Sequence, residues 1–546
     1  MGLQKFLNFL TCKKMFNEGK IILINKLILF VMALVVFSSI GFADYDPNGK
    51  LVFSLGGEVS VLNPILSTDS SSSAVEGVIF SGLTKINEKL EVVPDMARSW
   101  TFSSDGKIWT FFLRKDIKWH DGVNFTAEDV KFTFDSILNP KVNSIRRSSY
   151  IIDGKPIKFN VIDKYTIQAI LPKPFSPFLV STGIGIIPKH LYEKGDINTS
   201  SYNRKPIGTG PFKFSRWKTG DYIEVVRNKD YYGGIPLLSS IIYRIIPDEN
   251  ATLIALESGQ IDTAGIPPKD FARMKGGKGI KLFEYDTLLY TYLGLNNDHP
   301  LFSDKRIRQA LAYAVDKDQI ISLVLKNLGS KAYSPSHPVS WAYSENVSKF
   351  SYDTKKANDL LAKAGWSFSK DGWRYKDRKR FEFTCLVNQG NKEREKAAII
   401  LQQQVKKVGV KMNIRVMEWA ALLKILNSPS SPKKFDAIIM GWSLGLDPDS
   451  YSIWHSSMYP QGFNFIKYNN PEVDKLLEQG RTTINKLARK KIYTKSYKII
   501  SADQPYIFLW YPHSIIGVSD RVGGLSKPGP AGLFLNIEKV FVRDNR

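Results

Sequence analysis

Between Lys107 and Leu113 apolar and polar residues alternate, which places Trp109, Phe111 and Leu113 on one face of a strand. This strand organises residues 94–130, PDMARSWTFSSDGKIWTFFLRKDIKWHDGVNFTAEDV. Asp105-Gly106 supplies the turn before it and Asp121-Gly122 the turn after it. Thr126 then reads as a helix N-cap, with Glu128 and Asp129 in the first turn, where the helix dipole favours negative charge. Arg114, Lys115 and Lys118 lie between the turns and are expected to stay solvated. The stretch contains no nucleophile, metal cage or phosphate loop. It is scaffold.

Upstream, LVFSL reads as a strand, Ser67–Ser73 as a loop and N-cap, and Ala74–Ser81 as a helix. Residues 88–185 read as an inserted subdomain. It has a helix through Val130–Leu138, a basic loop with Arg146, Arg147 and Tyr150, and a strand pair around FNVIDKYTIQAIL. Pro172, Pro174 and Pro177 exclude a continuous helix at its far corner. Gly208 and Gly210 suggest tight backbone approach before the strand FKFSRW, because Pro211 removes a donor that a phosphate cradle needs. A second large lobe is expected from about Asp286. Its strand Leu289–Asn296, the helix DKRIRQALAYAVDKDQIISLVL and the strand–helix–strand unit from FEFTCLV to VKMNIRVMEW predict a wound α/β lobe. Pro505–Val518 reads as an aromatic strand.

The first 43 residues read as a leader: Lys20 and Lys26 precede the apolar run Leu27–Ile40, and Gly41-Phe42-Ala43 suits cleavage. The long approach leaves Met15 open as an alternative start. No cysteine follows the run directly, so no lipid attachment is expected, and Cys12 lies on the wrong side of it. Cys385, in FEFTCLV, reads as a buried small apolar residue. With one cysteine after the leader, no internal disulfide can form, and stability must come from core burial. Removing the leader's five lysines and one glutamate from the formal +24 leaves +20. The basic residues are interspersed with acidic ones, as in KKANDLLAK and NKEREKAA, and form no tract that would track a phosphate backbone. No nucleic-acid partner is expected.

The string A-R-S-W, S-D-G-K-x-W-T-F-x-L-R-K-D-I-K-W-H-D-G, T-A-E-D-V closely resembles the signature of family 5 extracellular solute-binding proteins, the peptide and nickel receptors of ABC importers. The resemblance continues through GTGPF, LNNDHPLFSDKRIRQALAYAVDKDQII and FDAIIMGWSLGLDPDSY, and covers nearly everything from Leu51 to Val542. It implies a two-lobed α/β periplasmic-binding-protein fold of class II, with mixed sheets flanked by helices and a hinge between lobes. Residues 44–87, 186–285 and 501–546 would form lobe I, 88–185 its inserted subdomain and 286–500 lobe II. The implied protein is a periplasmic, non-enzymatic monomer that needs no cofactor. It would capture a peptide by backbone hydrogen bonding and aromatic burial and deliver it to the transmembrane subunits of an ABC permease.

In the resembled family the loop at Thr68 and Ser70 faces the ligand, and Trp419 and Trp442 match positions in the ligand pocket. Tyr290, Tyr292, Ser443, Leu444, Tyr506 and Trp510 lie on other segments expected at the cleft. There is one departure. The family's di- and oligopeptide receptors place an aspartate three residues after the tryptophan of the G-W motif, where it pairs with the peptide ammonium. Here that position is Gly445, and the nearest carboxylates are Asp447 and Asp449. Asp447 is left with two readings, a substitute anchor or a turn cap before Pro448. In the second reading a blocked peptide N-terminus is tolerated.

Other classes fit less well. Gly441-Trp442-Ser443-Leu444-Gly445 matches the G-x-S-x-G nucleophile elbow, with Asp503 and His513 in hydrolase order, but Pro448 interrupts the helix that the elbow needs. The six histidines, at 120, 190, 299, 337, 455 and 513, show no metal-ligand spacing. A sugar, opine or metal chelate is the alternative within transport, and a chaperone-like peptide holder the alternative outside it.

Overall fold

A computed structural model describes residues 45–460 and 462–543. The leader lies outside them. The strand Ile108–Leu113 forms, with Trp109, Phe111 and Leu113 buried on one face. It pairs with Ala97–Phe102 and Thr166–Ile170, and Lys158–Asp163 completes an antiparallel sheet. Helix Ala127–Leu138 covers that sheet and begins where the Asp129 carboxylate accepts the Thr126 N–H at 2.9 Å. Phe134 stacks on Phe159, with ring centroids 4.1 Å apart. These side chains continue into the core of the first lobe around Leu51 and Ile241.

In that lobe Lys50–Leu55 lies parallel to Ser240–Ile245 and to Thr263, with helix Glu249–Glu257 as the crossover. The helix after Ser67 begins at Ser70, four residues earlier than the sequence suggests, and runs to Ile79. Asp69 explains the shift. Its carboxylate accepts the Ser72 N–H at 2.7 Å and the Ser72 hydroxyl at 2.7 Å, so the serines complete a cap and first turn instead of a loop. Gly208 and Gly210 pack against the end of this helix. A Cβ on Gly208 would sit 1.9 Å from the Ile79 carbonyl oxygen, and the Gly210 N–H donates to that oxygen at 2.8 Å.

The second lobe repeats the strand–helix–strand logic. Glu382–Asn388 and Lys411–Met417 are parallel, joined by helix Lys392–Lys406. Asn391 caps that helix, Glu393 and Glu395 occupy its first turn, and Ala397, Leu401 and Val405 recur at helical spacing on its buried face. Burying Leu401 and Val405 contributes roughly 2 kcal/mol each. Cys385 is buried in the same core.

One strand joins the lobes. In Tyr506–Ser519 the first half pairs with Leu289–Leu295, and the second half pairs with Ile280–Asp286 and Thr263–Gly265. Among the described residues the joined sheet has twelve strands. The strand changes its pairing partners near Pro512. Tyr506–Tyr511 is buried throughout because two cores flank it. Ile507, Leu509 and Trp510 enter one, and Tyr506, Phe508 and Tyr511 the other.

Candidate functional site

The chain crosses between lobes at 286–289 and at 511–513, where the Thr287 hydroxyl donates to the Pro512 carbonyl at 3.1 Å. Far from these crossings the lobes also touch. The Pro-rich corner of the inserted subdomain meets the turn between helices Pro471–Thr482 and Lys486–Asp503. There the Ser176 N–H donates to the Arg481 carbonyl at 2.8 Å, the Ser176 hydroxyl donates to Thr483, and the Arg481 guanidinium lies 4.8 Å from the Phe175 ring. The lobes are closed on each other.

Between these contacts lies the segment 443–450, which leaves strand Ala437–Ser443. The Leu444 N–H donates to the Leu288 carbonyl at 2.8 Å, so the segment stays tied to a crossing strand. Asp447 accepts the Asp449 N–H at 3.0 Å, and Asp449 accepts the Tyr451 N–H at 3.2 Å. These two Asx turns set the loop's path. Three cavities adjoin it. Leu446 reaches one of about 610 Å³, lined otherwise by the first lobe and its subdomain, including Glu76, Asp95, Arg146 and Tyr150. Trp442, Ser443, Leu444, Gly445 and Asp447 line one of about 170 Å³. Trp442 and Ser443 also line one of about 440 Å³, with Arg394 and Trp510.

The charges divide into satisfied pairs and open groups. Arg489 holds both oxygens of Asp447, at 2.7 and 2.8 Å, and donates to the Gly480 carbonyl at 2.8 Å. Burial opposes the Arg489 charge, yet the Asp447 carboxylate outweighs it and keeps the guanidinium above its usual pKa. Asp449 pairs with Arg481 at 3.1 Å, and burial raises its pKa. Asp447 is thus a turn cap whose charge is already matched. Among the described residues Arg394 has only neutral hydrogen-bond partners, the Asn388 amide oxygen at 3.0 Å and the Met440 sulfur at 4.0 Å, and burial lowers its pKa. Glu76 accepts the Ser67 hydroxyl at 2.8 Å, and burial lifts its pKa to about 7.

Of the residues singled out in the sequence, the structure brings Trp442, Ser443, Leu444 and Asp447 together at the cavities. Trp442 packs on Phe465, with centroids 5.8 Å apart. Tyr290 and Trp510 line the 440 Å³ cavity with little exposed surface, being mainly core. Tyr292 and Tyr506 are core residues, stacked at 3.7 Å. Thr68, Ser70 and Trp419 are exposed and line none of these cavities. No elbow forms at Ser443, since helix resumes only at Tyr451. Asp503 instead accepts from Tyr468 and Asn470, and His513 faces Glu284 at 2.6 Å. Glu76, Arg146 and Arg394 are not among the site residues that the sequence singles out. Glu76 carried a signal, a lone carboxylate on the same helical face as Ser72, Val75 and Ile79.

The family model for bacterial extracellular solute-binding proteins, family 5, matches residues 91–464. The oligopeptide-binding protein AppA of Bacillus subtilis is 38% identical over 502 residues, which are 90% of this chain and 92% of that protein. The structure of that AppA with a nonapeptide superposes with a TM-score of 0.76 at 36% identity, covering 91% of this chain and 99% of the other. NikZ of Campylobacter jejuni in complex with Ni(L-His) gives a TM-score of 0.78 at 32% identity, covering 91% and 100%.

Proposed function

Because the chain belongs to the bacterial extracellular solute-binding proteins of family 5, we propose that it captures peptides between its lobes and hands them to the transmembrane subunits of an ABC permease. The observation that carries this reading is the cavity of about 610 Å³, walled by the first lobe and its subdomain and reached by Leu446 from the second. A cavity shared by two lobes that are joined at two crossings can open, admit a solute and close. Trp442 supplies an aromatic wall at the neighbouring cavities, and Arg394 a cation without a carboxylate partner among the described residues, suited to a ligand carboxylate. The protein acts as a monomer without catalysis, exported by the leader and released at Asp44 without a lipid.

Native mass spectrometry of freshly purified protein tests the ligand class. Masses of peptides leaving the protein on activation are the expected result. A sugar, opine or metal chelate in their place would overturn the peptide reading while leaving the transport role intact.

A further inference from the structure

The cavity of about 610 Å³ has a charge balance opposite to that of the chain. Against a formal net charge of +24, it is lined by three carboxyl residues, Glu76, Asp95 and Glu538, and two cations, Lys85 and Arg146. Asp95 already has partners, the Tyr232 hydroxyl at 2.7 Å and the Lys85 ammonium at 3.9 Å. Glu76 is only half satisfied. One oxygen accepts the Ser67 hydroxyl at 2.8 Å, and the other, Oε1, is buried without a hydrogen-bond partner. The residue is 6% exposed. A carboxyl kept this way costs stability, because its lone pairs have left water and found nothing in return.

The surroundings do not supply what is missing. Ser67 and Asp69 face Glu76 from just before its own helix, Arg146 from the short helix Ile145–Tyr150, and Tyr192 from Lys189–Tyr192, while the Asn63 backbone N–H points at the carboxyl without completing a hydrogen bond to Oε1. Arg146 makes no ion pair with Glu76, and its Nε donates to the Pro64 carbonyl at 3.3 Å. Gln would keep the bond to Ser67, and Leu would fill the helix face. Neither would carry charge to the cavity wall.

We infer that Glu76 is the subsite for a protonated amine of the bound ligand. The inference rests on the peptide reading and adds to it which ligand group is recognised and by which lobe. An ammonium at Oε1 provides both the missing donor and the opposite charge. The amine is either the peptide's α-ammonium or a lysine side chain. Either one draws the Glu76 pKa down from about 7 and so expels a proton near neutrality. Asp447 cannot take this role while Arg489 holds both its oxygens.

Titration calorimetry on the full protein tests it. The probes are nonapeptides with lysine at each position in turn and their norleucine counterparts, each with a free and an acetylated N-terminus. The wild type should favour an amine-bearing form by roughly 10- to 100-fold, with a binding enthalpy that depends on the buffer's heat of ionisation. Norleucine paired with lysine isolates the side chain, and acetylation isolates the α-ammonium. In Glu76→Gln the preference and the buffer dependence should vanish while neutral peptides still bind. A preference that survives in Glu76→Gln, or neutral peptides binding the wild type with no amine preference, overturns the inference alone. A wild type that binds none of the peptides overturns the peptide reading as well. Should Glu76→Gln fail to fold, proton release by the wild type decides: its presence supports the inference and its absence overturns it.

Discussion

Arg489 grips both carboxylate oxygens of Asp447, at 2.7 and 2.8 Å, with each side chain almost wholly out of water. The pair sits where the sequence first offers a carboxylate after Gly445. A desolvated ion pair is weak evidence for net stability, but removing one member strands the other. Arg489→Met should therefore lower unfolding free energy by about 3–5 kcal/mol in denaturant titration. Asp447→Asn should leave the affinity ratio of free to N-acetylated peptide unchanged. A ratio that collapses in that variant would make Asp447 the ammonium anchor.

His120 carries a different kind of constraint. Its Nδ1 accepts the Gly208 N–H at 3.2 Å, and its Nε2 donates to the Gly210 carbonyl at 3.0 Å, so the neutral ring clamps the glycine turn. Burial lowers its pKa from 6.5 to about 4. The unfolded chain then binds the proton more readily, so this stabilisation is complete above pH 6.5 and is lost as pH falls toward 4. The shift corresponds to about 3 kcal/mol. His120→Asn should be less stable near neutrality and lose less stability on acidification, measured by denaturant unfolding across that range.

Lys317 gives the opposite mutational sign. Its ammonium is buried with one hydrogen bond, to the Ala332 carbonyl at 2.7 Å, and lies 4.1 Å from the Tyr333 ring. Burial, and to a lesser degree Lys331, lowers its pKa from 10.5 to about 7. Between those values the folded protein has shed the proton and the unfolded chain has not, so wild-type stability gains a rising component with pH. Lys317→Met should be more stable near pH 7 and lack that component. A variant less stable than wild type at neutral pH would show that the carbonyl and ring contacts outweigh desolvation.

Periodicity made Trp109, Phe111 and Leu113 legible because only one face of that strand is buried. The same rule could not sort Tyr292, Tyr506 and Trp510, since the strands that carry them are covered on both faces. An aromatic residue there reads alike whether it faces core or cleft. The resemblance places Thr68 and Ser70 at the ligand, and locally Asp69 organises its neighbours into a helix start that leaves both exposed. The Arg489 partner of Asp447 lies 42 residues away in sequence, beyond the reach of any spacing rule. Glu76 was legible in principle, because a carboxylate at helical spacing with buried apolar residues is costly unless something uses it.

The remaining prediction concerns contacts between the lobes. The lobes are joined at 286–289 and 511–513, and on the far side Phe175 and Ser176 meet Arg481 and Thr483. Such contacts would be broken if the lobes parted, so they would bias an open–closed equilibrium by their own free energy, with the ligand supplying the rest. Exposed polar contacts of this kind are each worth about 1 kcal/mol. Ser176→Ala should therefore weaken peptide affinity several-fold while leaving the folded lobes and their stability nearly unchanged, because it removes only a half-buried hydroxyl that donates to the Thr483 carbonyl. Small-angle scattering should record a smaller radius of gyration on saturation with peptide, and Trp442 fluorescence should change with it. In Ser176→Ala the scattering change should need more peptide but reach the same endpoint. An unchanged radius at saturation in the wild type would mean that the lobes do not close on the ligand.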